Sequence, residues 1–227
     1  MTIIQTYAGH RFSLLYPDPR DINPRDIAIA LSRLPRLGGH TSTFYCVAQH
    51  AWLGVDVLRR AIRNDRSLSR LLRIAGPERS ETTEAVIRRA RHDDAMARQL
   101  LLAALLDDAP DAYIGTLSPL VTMALEKIAR ISPLGTLDTA ISLTIHQAFG
   151  LPFPLPAGWV AVLKLVDEIM LATEYRDLLL VRNSDMEFPG AAEFRIQPEP
   201  EHRAPDLFLE CLESLRSRAI RHQAMAS

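Results

Sequence analysis

The chain has 227 residues and a formal net charge of −1, from 26 basic and 27 acidic side chains. A chain of this length can bury a sizeable core in one domain, and its balanced charge provides no overall field that would attract nucleic acid or an anionic membrane. Two isolated cysteines exclude a disulfide framework, and the absence of a secretory or membrane-spanning pattern predicts a cytoplasmic protein without a membrane partner.

The first part of the chain predicts a short β-hairpin followed by two helices. Residues 2–16 alternate β-branched or aromatic residues with polar ones around a central Ala-Gly pair, which is typical of a hairpin. Apolar residues recur at helical spacing over 21–34 and again over 44–63. The paired glycines of 36–41 predict a loop that connects these two helices.

The rest of the chain predicts an all-α, single-domain protein over residues 1–227. The arginine-rich stretch 59–94 predicts an insertion of peripheral, solvated helices, with a break at Gly76-Pro77 and a capped helix start near Ser80. A C-terminal extension is expected over 183–227. The remaining helices are predicted at 95–108, 118–131, 135–149, 157–182 and 205–224.

Three of the apolar helices carry polar groups that are candidates for a common site. They are His50, the pair Asp107-Asp108 and Asp167. Burying several carboxylates without compensation would cost several kcal/mol for each of them. Such a cluster therefore indicates a bound cation, basic partners or solvent exposure, and the residues alone leave these three explanations open.

Five ordered blocks of sequence resemble the HD-domain metal-dependent phosphohydrolases, and within them the nucleotidase-like branch that includes phage and prophage enzymes. The resemblance covers roughly residues 3–180, and its blocks are 26–32, 36–41, 44–50, 104–115 and 171–177. It implies an HD-domain helical bundle with a short N-terminal hairpin. It also implies hydrolysis of nucleoside phosphates, and specifically of (deoxy)nucleotides.

The resemblance further implies one divalent metal ion. The family's ligands are a histidine, an adjacent His-Asp pair and a distal aspartate, which correspond to His50, Asp107, Asp108 and Asp167. Asp107 stands where the family has histidine. Because this change makes the ligand set richer in oxygen, Mg²⁺ or Mn²⁺ is favoured over Co²⁺, Zn²⁺ or iron.

The same resemblance assigns the catalytic roles. Asp111 replaces a glutamate that orients the attacking water, and Thr116 replaces an aspartate and cannot act as a carboxylate base. Arg36 would hold the phosphate. Lys164, one helical turn before Asp167, would either neutralise phosphate charge or pair with one of the acids.

The loop after Arg36 supplies two further substrate contacts under this hypothesis. Leu37 occupies the place of an aromatic residue near the sugar and base, so it offers apolar contact without stacking. His40 would either donate to the phosphate or cap a backbone carbonyl. The dipeptide His92-Asp93 has the letters of the family motif, but we interpret it as a chance match because no apolar helix precedes it.

The last matching block contains Glu174, Arg176 and Asp177, which we interpret as an ion-pair network that fastens its helix. Two alternatives to the hydrolase stay open. A degenerate member would bind nucleotide or metal with little turnover, because positions 107, 111 and 116 have all changed. A two-iron oxidase is disfavoured by the missing histidine. We expect a small-molecule nucleotide as partner, no nucleic acid, and a possible homo-oligomer.

Overall fold

The fold is taken from a computed structural model that describes residues 2–117, 119–129, 132–180 and 190–224. The β structure of this described part is one antiparallel hairpin of strands β1 (Ile3–Gln5) and β2 (Arg11–Ser13). The helices are α1 (Pro24–Arg33), α2 (Val47–Arg63), α3 (Asp65–Ala75), α4 (Pro77–His92), α5 (Asp94–Leu106), α6 (Asp111–Ile114), α7 (Pro119–Ala129), α8 (Pro133–Phe149), α9 (Ala157–Leu178) and α10 (Ala204–Ala224). The predicted all-α class with an N-terminal hairpin is confirmed.

The hairpin is attached to the helices by a buried carboxylate and by an aromatic contact. Asp26 of α1 is 3% exposed and accepts hydrogen bonds from the hydroxyl of Thr6 and the backbone N–H of Ala8, each 2.7 Å long. Phe12 of β2 stacks on Tyr113 of α6 with ring centroids 3.9 Å apart. The hairpin therefore supports α6, which begins at a predicted site residue.

Two helix boundaries differ from the sequence prediction for local reasons. The Asn23 side chain accepts a backbone N–H of the first turn of α1 at 2.9 Å, so this helix begins at Pro24 rather than at 21. Helix α5 ends at Leu106, and the chain turns over 107–110 before α6 begins. The ends predicted at 118, 131 and 182 lie outside the described residues.

The arginine-rich segment predicted as a peripheral insertion has one face in the core. Gly76 adopts a φ of +71° and the helix that follows begins directly at Pro77, so the break predicted there is confirmed, whereas the helix start predicted near Ser80 is wrong. Helices α3 and α4 pack on α2 and α9. Their buried residues are Leu68, Leu71, Ala75, Thr83, Ile87 and Ala90.

Helix α2 is the centre of the bundle. It packs against α1, α3, α4, α5, α9 and α10, and its buried residues are apolar except for Gln49 and His50. Gly54 of α2 faces Val166 of α9, and a Cβ added at this position would stand 3.4 Å from the Val166 side chain, so the two helices are closely packed here. The two helices that carry His50 and Asp167 are thus in direct contact.

Helix α7 presents apolar side chains to solvent. Val121, Met123, Leu125 and Ile128 are all exposed, and Ile128 has 81% of its surface accessible. Exposed apolar groups at this density are typical of surfaces that contact another molecule.

Within the described residues, no helix combines the length and apolar character that crossing a bilayer requires.

The irregular segment 190–199 is fastened to α9 and α2 by buried polar side chains. Thr173 accepts a backbone N–H of the segment at 2.8 Å, and Arg176 donates to a backbone carbonyl at 2.6 Å. Asp177 pairs with Arg176 at 2.7 Å and accepts a backbone N–H at 2.9 Å. Gln49 of α2 bonds the segment through both of its amide atoms. The structural role predicted for Arg176 and Asp177 is confirmed.

We expect Asp177→Asn to destabilise the protein by about 1–3 kcal/mol, because it leaves a buried network of charge-assisted hydrogen bonds incomplete. Burial opposes the charge of Asp177, but the bonds from Arg176, the backbone and Arg195 outweigh it and lower its pKa from 3.8 to about 2. The stability that ionised Asp177 contributes is therefore complete above pH 4 and is lost as the pH falls through about 2. Urea unfolding at several pH values measures it. Glu193→Gln, an exposed acid of the same segment, is the control, and equal stability of the two variants would contradict the assignment.

Candidate functional site

Three parts of the chain meet where α2 contacts α9. Helix α2 contributes His50, the end of α5 contributes Asp107 and Asp108, and α9 contributes Asp167. The apolar face of each helix is in the core, so the helical register directs these polar residues to a common cleft. The sequence therefore places the four predicted metal ligands in one region of the structure.

The loop before α2 brings Arg36 into this cleft through an unusual backbone. Leu37 has a φ of 53° and Gly38 a φ of 63°, both in the left-handed region. A left-handed residue other than glycine costs about 1–3 kcal/mol, which the surrounding contacts must offset. One of these is the Arg36 backbone N–H, which donates to the Tyr45 carbonyl at 2.9 Å. The side chain of Arg36 itself is 16% exposed.

Glu174 is the buried centre of the site. Its carboxylate is 0% exposed and accepts a hydrogen bond from His50 Nδ1 at 2.6 Å and one from Arg36 Nη2 at 3.3 Å. Since Nδ1 of His50 is engaged in this way, the other ring nitrogen, Nε2, points away from Glu174 into the cleft. The buried carboxylate of Glu174 thus fixes the ring orientation of His50.

The outer nitrogen of His50 faces two aspartates. His50 Nε2 is 3.3 Å from Asp167 Oδ1 and 3.6 Å from Asp108 Oδ2. Arg36 faces the same two side chains, with Nη2 3.7 Å from Asp167 and Nη1 3.8 Å from Asp108. An imidazole nitrogen and two carboxylate oxygens therefore converge, and the guanidinium lies beside them.

The charges of this group support one another. Burial and the neighbouring Arg36 both disfavour a protonated His50, but Glu174 and Asp167 outweigh them and raise its pKa from 6.5 to about 9. Burial opposes the charges of Glu174 and Asp167 as well, yet His50 and Arg36 lower the pKa of both carboxyl groups. The arrangement holds both carboxylates ionised, although Glu174 is fully buried and Asp167 is 53% exposed.

Two more aspartates, Asp107 and Asp111, ionise at a higher pH than ordinary aspartates do. Burial within the cleft, followed by repulsion from Asp108 and Asp167, raises the pKa of Asp107 to about 7. Asp107 is nevertheless exposed to solvent, which limits the effect of burial on its pKa. Burial and then Asp108 also raise the pKa of Asp111 to about 7, against a hydrogen bond from Thr116. The cleft therefore has more carboxylates than its own cations balance.

A cavity of about 20 Å³ lies between these side chains, and its polar lining consists of His50, Asp107, Asp108 and Asp167. This volume is about enough for one water molecule or ion. Over the described ranges, no group of three or more His, Cys, Asp or Glu side chains has the arrangement of a ready metal site. The guanidinium of Arg36 lies close to Asp108 and Asp167 and supplies positive charge there. The donor atoms nevertheless suit a divalent cation, because nitrogen and oxygen donors converge beside unbalanced carboxylates.

Other predicted site residues lie at the edge of this cluster or apart from it. Lys164 of α9 is exposed, and no acid in the described part of the chain lies within ion-pair distance of it. Leu37 is half-buried and His40 is exposed on the same loop, where the His40 backbone N–H donates to the Leu37 carbonyl at 3.1 Å. His92 lies at the end of α4 and Asp93 caps α5, which supports reading that dipeptide as a chance match.

Three residues near the site were not assigned to it from the sequence. Glu174 was interpreted as part of a fastening network, although its i+7 spacing from Asp167 already placed it on the same face of the helix. Tyr45 is buried beside Glu174, and no described atom completes a well-placed hydrogen bond with its hydroxyl. Asp138 of α8 lies near Asp108, and burial together with that charge raises its pKa.

Comparison with known proteins gives relatives without a known function. The uncharacterized protein YfdR of Escherichia coli is 27% identical over 214 residues, which cover 92% of this chain and 93% of the relative. An uncharacterized protein of Rhodobacter capsulatus is 26% identical over 208 residues, with 87% of this chain and 88% of the relative covered. No family model matches the chain. The chain is thus similar to these proteins over nearly its full length.

We expect Glu174→Gln to lower the pKa of His50 in metal-free protein by about 1–3, because a charge in direct contact with the imidazole is removed. An NMR titration of the imidazole resonances measures this value. Glu168→Gln, on the same helix but paired with Arg79, is the matched control and should leave it unchanged. Because the pKa of His50 is raised, its protonated form contributes to the stability of the fold. This contribution is complete below pH 6.5 and is lost as the pH rises through about 9. An unchanged pKa in Glu174→Gln would contradict the role of Glu174.

Proposed function

We propose that the protein is a cytoplasmic, metal-dependent phosphohydrolase that acts on nucleoside phosphates, specifically (deoxy)nucleotides. The observation that carries this proposal is the geometry of His50. Its Nδ1 is fixed by buried Glu174, while its Nε2 faces Asp108 and Asp167 at 3.6 and 3.3 Å. A histidine held by a carboxylate on one side and open to acidic ligands on the other is the usual arrangement of a metal ligand.

The residues that would hold the metal are His50, Asp108 and Asp167, with Asp107 beside them. This oxygen-rich set favours one Mg²⁺ or Mn²⁺ ion, while Co²⁺, Zn²⁺ and iron are weaker expectations. When bound, such an ion supplies neutralisation of phosphoryl oxygens and a more acidic water. The unbalanced carboxylates of the cleft support a divalent cation in this place, because it would remove the repulsion that raises the pKa of Asp107.

Asp111 is the residue best suited to accept a proton from the attacking water. With its pKa raised to about 7, its carboxylate is a stronger base than an ordinary aspartate and is still ionised in part at neutral pH. Thr116 donates a hydrogen bond to Asp111 and so orients it. The threonine that replaces the family's aspartate thus supports the base rather than acting as one.

Arg36 and Lys164 are the groups proposed to bind the phosphate. Lys164 is exposed one helical turn from Asp167, so its ammonium group can reach a phosphate at the mouth of the cleft. Arg36 is engaged with Asp108, Asp167 and Glu174. Its longest contact, Nη1 to Asp108 at 3.8 Å, is the one that a phosphate oxygen would replace most easily. Leu37 and His40 are proposed to border the substrate on the same loop.

A second function is supported by the position of Arg36. Its guanidinium already lies within 3.8 Å of both central aspartates and partly fills the role of a cation. A protein that keeps this ion-pair arrangement would bind nucleotide with little or no turnover. The exposed apolar side chains of α7 support self-association under either function.

The proposal predicts phosphate release from a panel of deoxynucleoside mono- and triphosphates in the presence of Mg²⁺ or Mn²⁺. We expect Asp108→Ala to abolish this release, because it removes a proposed metal ligand. We expect Asp111→Asn to lower kcat by about 10²–10⁴-fold, the usual contribution of a general base. His92→Ala is the control, since it alters a histidine-aspartate dipeptide outside the cleft and should retain activity.

Two outcomes would contradict the hydrolase. One is the absence of release across the panel by protein that still binds nucleotide, which would favour the second function. The other is release that persists in Asp108→Ala at the wild-type rate, since the activity would then belong to another site or another protein in the preparation.

A further inference from the structure

A second cavity, far more basic than the first, lies on another side of α2. It has a volume of about 660 Å³ and lies where the end of α2, the end of α4 and the start of α5 meet α10. It shares no lining residue with the acidic cavity described above. Among the described residues that line it, the charged ones are Arg59, Arg63, Arg91, Arg98 and Asp94.

One of these arginines has a structural task. Arg91 donates from Nε to the Ile62 carbonyl at 2.8 Å and from Nη2 to the Ala61 carbonyl at 3.2 Å, so it caps the last turn of α2. It also pairs with Asp65 at 2.5 Å. Arg91 therefore gives the cavity a fixed wall, and its charge is already compensated.

The other three arginines lack an acidic partner in the part of the chain that the structure describes. Within the described residues, no carboxylate lies within ion-pair distance of Arg59, Arg63 or Arg98. Arg59 lies beside the thiol of Cys211, which does not neutralise it. Asp94 is exposed at the start of α5. The cavity therefore has a surplus of positive charge that the fold itself does not use.

This surplus is local rather than a property of the whole chain. The net charge of the protein is −1, from 26 basic and 27 acidic side chains, whereas the described lining of this cavity carries four arginines and one acid. A concave surface of one sign concentrates ligands of the opposite charge.

We infer that this cavity, which we name the arginine groove (Arg59, Arg63, Arg91 and Arg98), binds a small polyphosphate anion such as the phosphate chain of a nucleotide. Guanidinium groups bind phosphate oxygens through paired, charge-assisted hydrogen bonds. A volume near 660 Å³ is within the range of small-molecule sites. No aromatic side chain is among its described lining residues, so the groove lacks the stacking surface that single-stranded nucleic acid uses.

Titration calorimetry of the full chain with inorganic tripolyphosphate, in EDTA so that no metal reaches the acidic cavity, tests this inference. We expect wild-type protein to bind, and Arg63→Gln/Arg98→Gln to bind about tenfold or more weakly, because charge-assisted hydrogen bonds are lost. Arg63→Gln alone changes an exposed side chain and should show an intermediate affinity. Arg73→Gln, an exposed arginine of α3 outside the groove, is the matched control and should bind as the wild type does.

Three results would overturn the inference, and none of them depends on whether the protein is a hydrolase. The first is the absence of tripolyphosphate binding. The second is binding that Arg63→Gln/Arg98→Gln leaves unchanged, or that Asp108→Asn in the acidic cavity abolishes. The third is tighter binding of a short oligothymidylate than of tripolyphosphate with the same dependence on Arg63 and Arg98, which would make nucleic acid the ligand.

Discussion

The site depends on one buried carboxylate. Glu174 is 0% exposed, and burying an ionised carboxylate without compensation would cost several kcal/mol. His50 and Arg36 compensate it, and they come from a helix and a loop that are distant in sequence from α9. His50 binds one oxygen of the Glu174 carboxylate and Arg36 binds the other. Glu174 therefore fixes the positions of the imidazole ring and the guanidinium together. The open side of His50 follows from this constraint.

The surrounding fold is consistent with that constraint. Helices α2 and α9 pack directly on each other, which brings His50 to Glu174. The left-handed backbone at Leu37 turns the loop that carries Arg36 into the cleft. Strained loops of this kind persist where the neighbouring contacts determine their shape, and they are common at functional sites. The residue before His50, Gln49, binds the segment 190–199 through both of its amide atoms and so anchors this turn of α2.

Much of the helical bundle could be predicted from the sequence, because amphipathic spacing is a local signal. The positions of the proposed metal ligands followed from it, since His50, Asp107, Asp108 and Asp167 end or interrupt apolar helical faces. The starts of helices were predicted less accurately. Asn23 places the start of α1 at Pro24, and Gly76 allows α4 to start at Pro77. These shifts depend on single hydrogen bonds and backbone angles, which a hydrophobic period does not reveal.

The role of Glu174 could not be predicted because it depends on pairing across the fold. Its neighbours Arg176 and Asp177 do form the expected fastening network, and the spacing alone did not separate the three residues. Asp138 was missed for a similar reason, since its approach to Asp108 depends on where α8 lies. The arginine groove likewise combines residues of α2, α4 and α5. In the sequence these arginines are interspersed with acids, and only the fold shows that Asp94 lines the groove and that Asp65 pairs with Arg91.

The central claim is that Glu174 prepares His50 to bind a metal ion together with Asp108 and Asp167. Anomalous diffraction from crystals grown with Mn²⁺ tests it most directly. The account predicts one strong peak within bonding distance of His50 Nε2 and of both aspartates, with Glu174 still bonded to Nδ1. A map without a peak at saturating Mn²⁺, or with the ion bound away from His50, would contradict it.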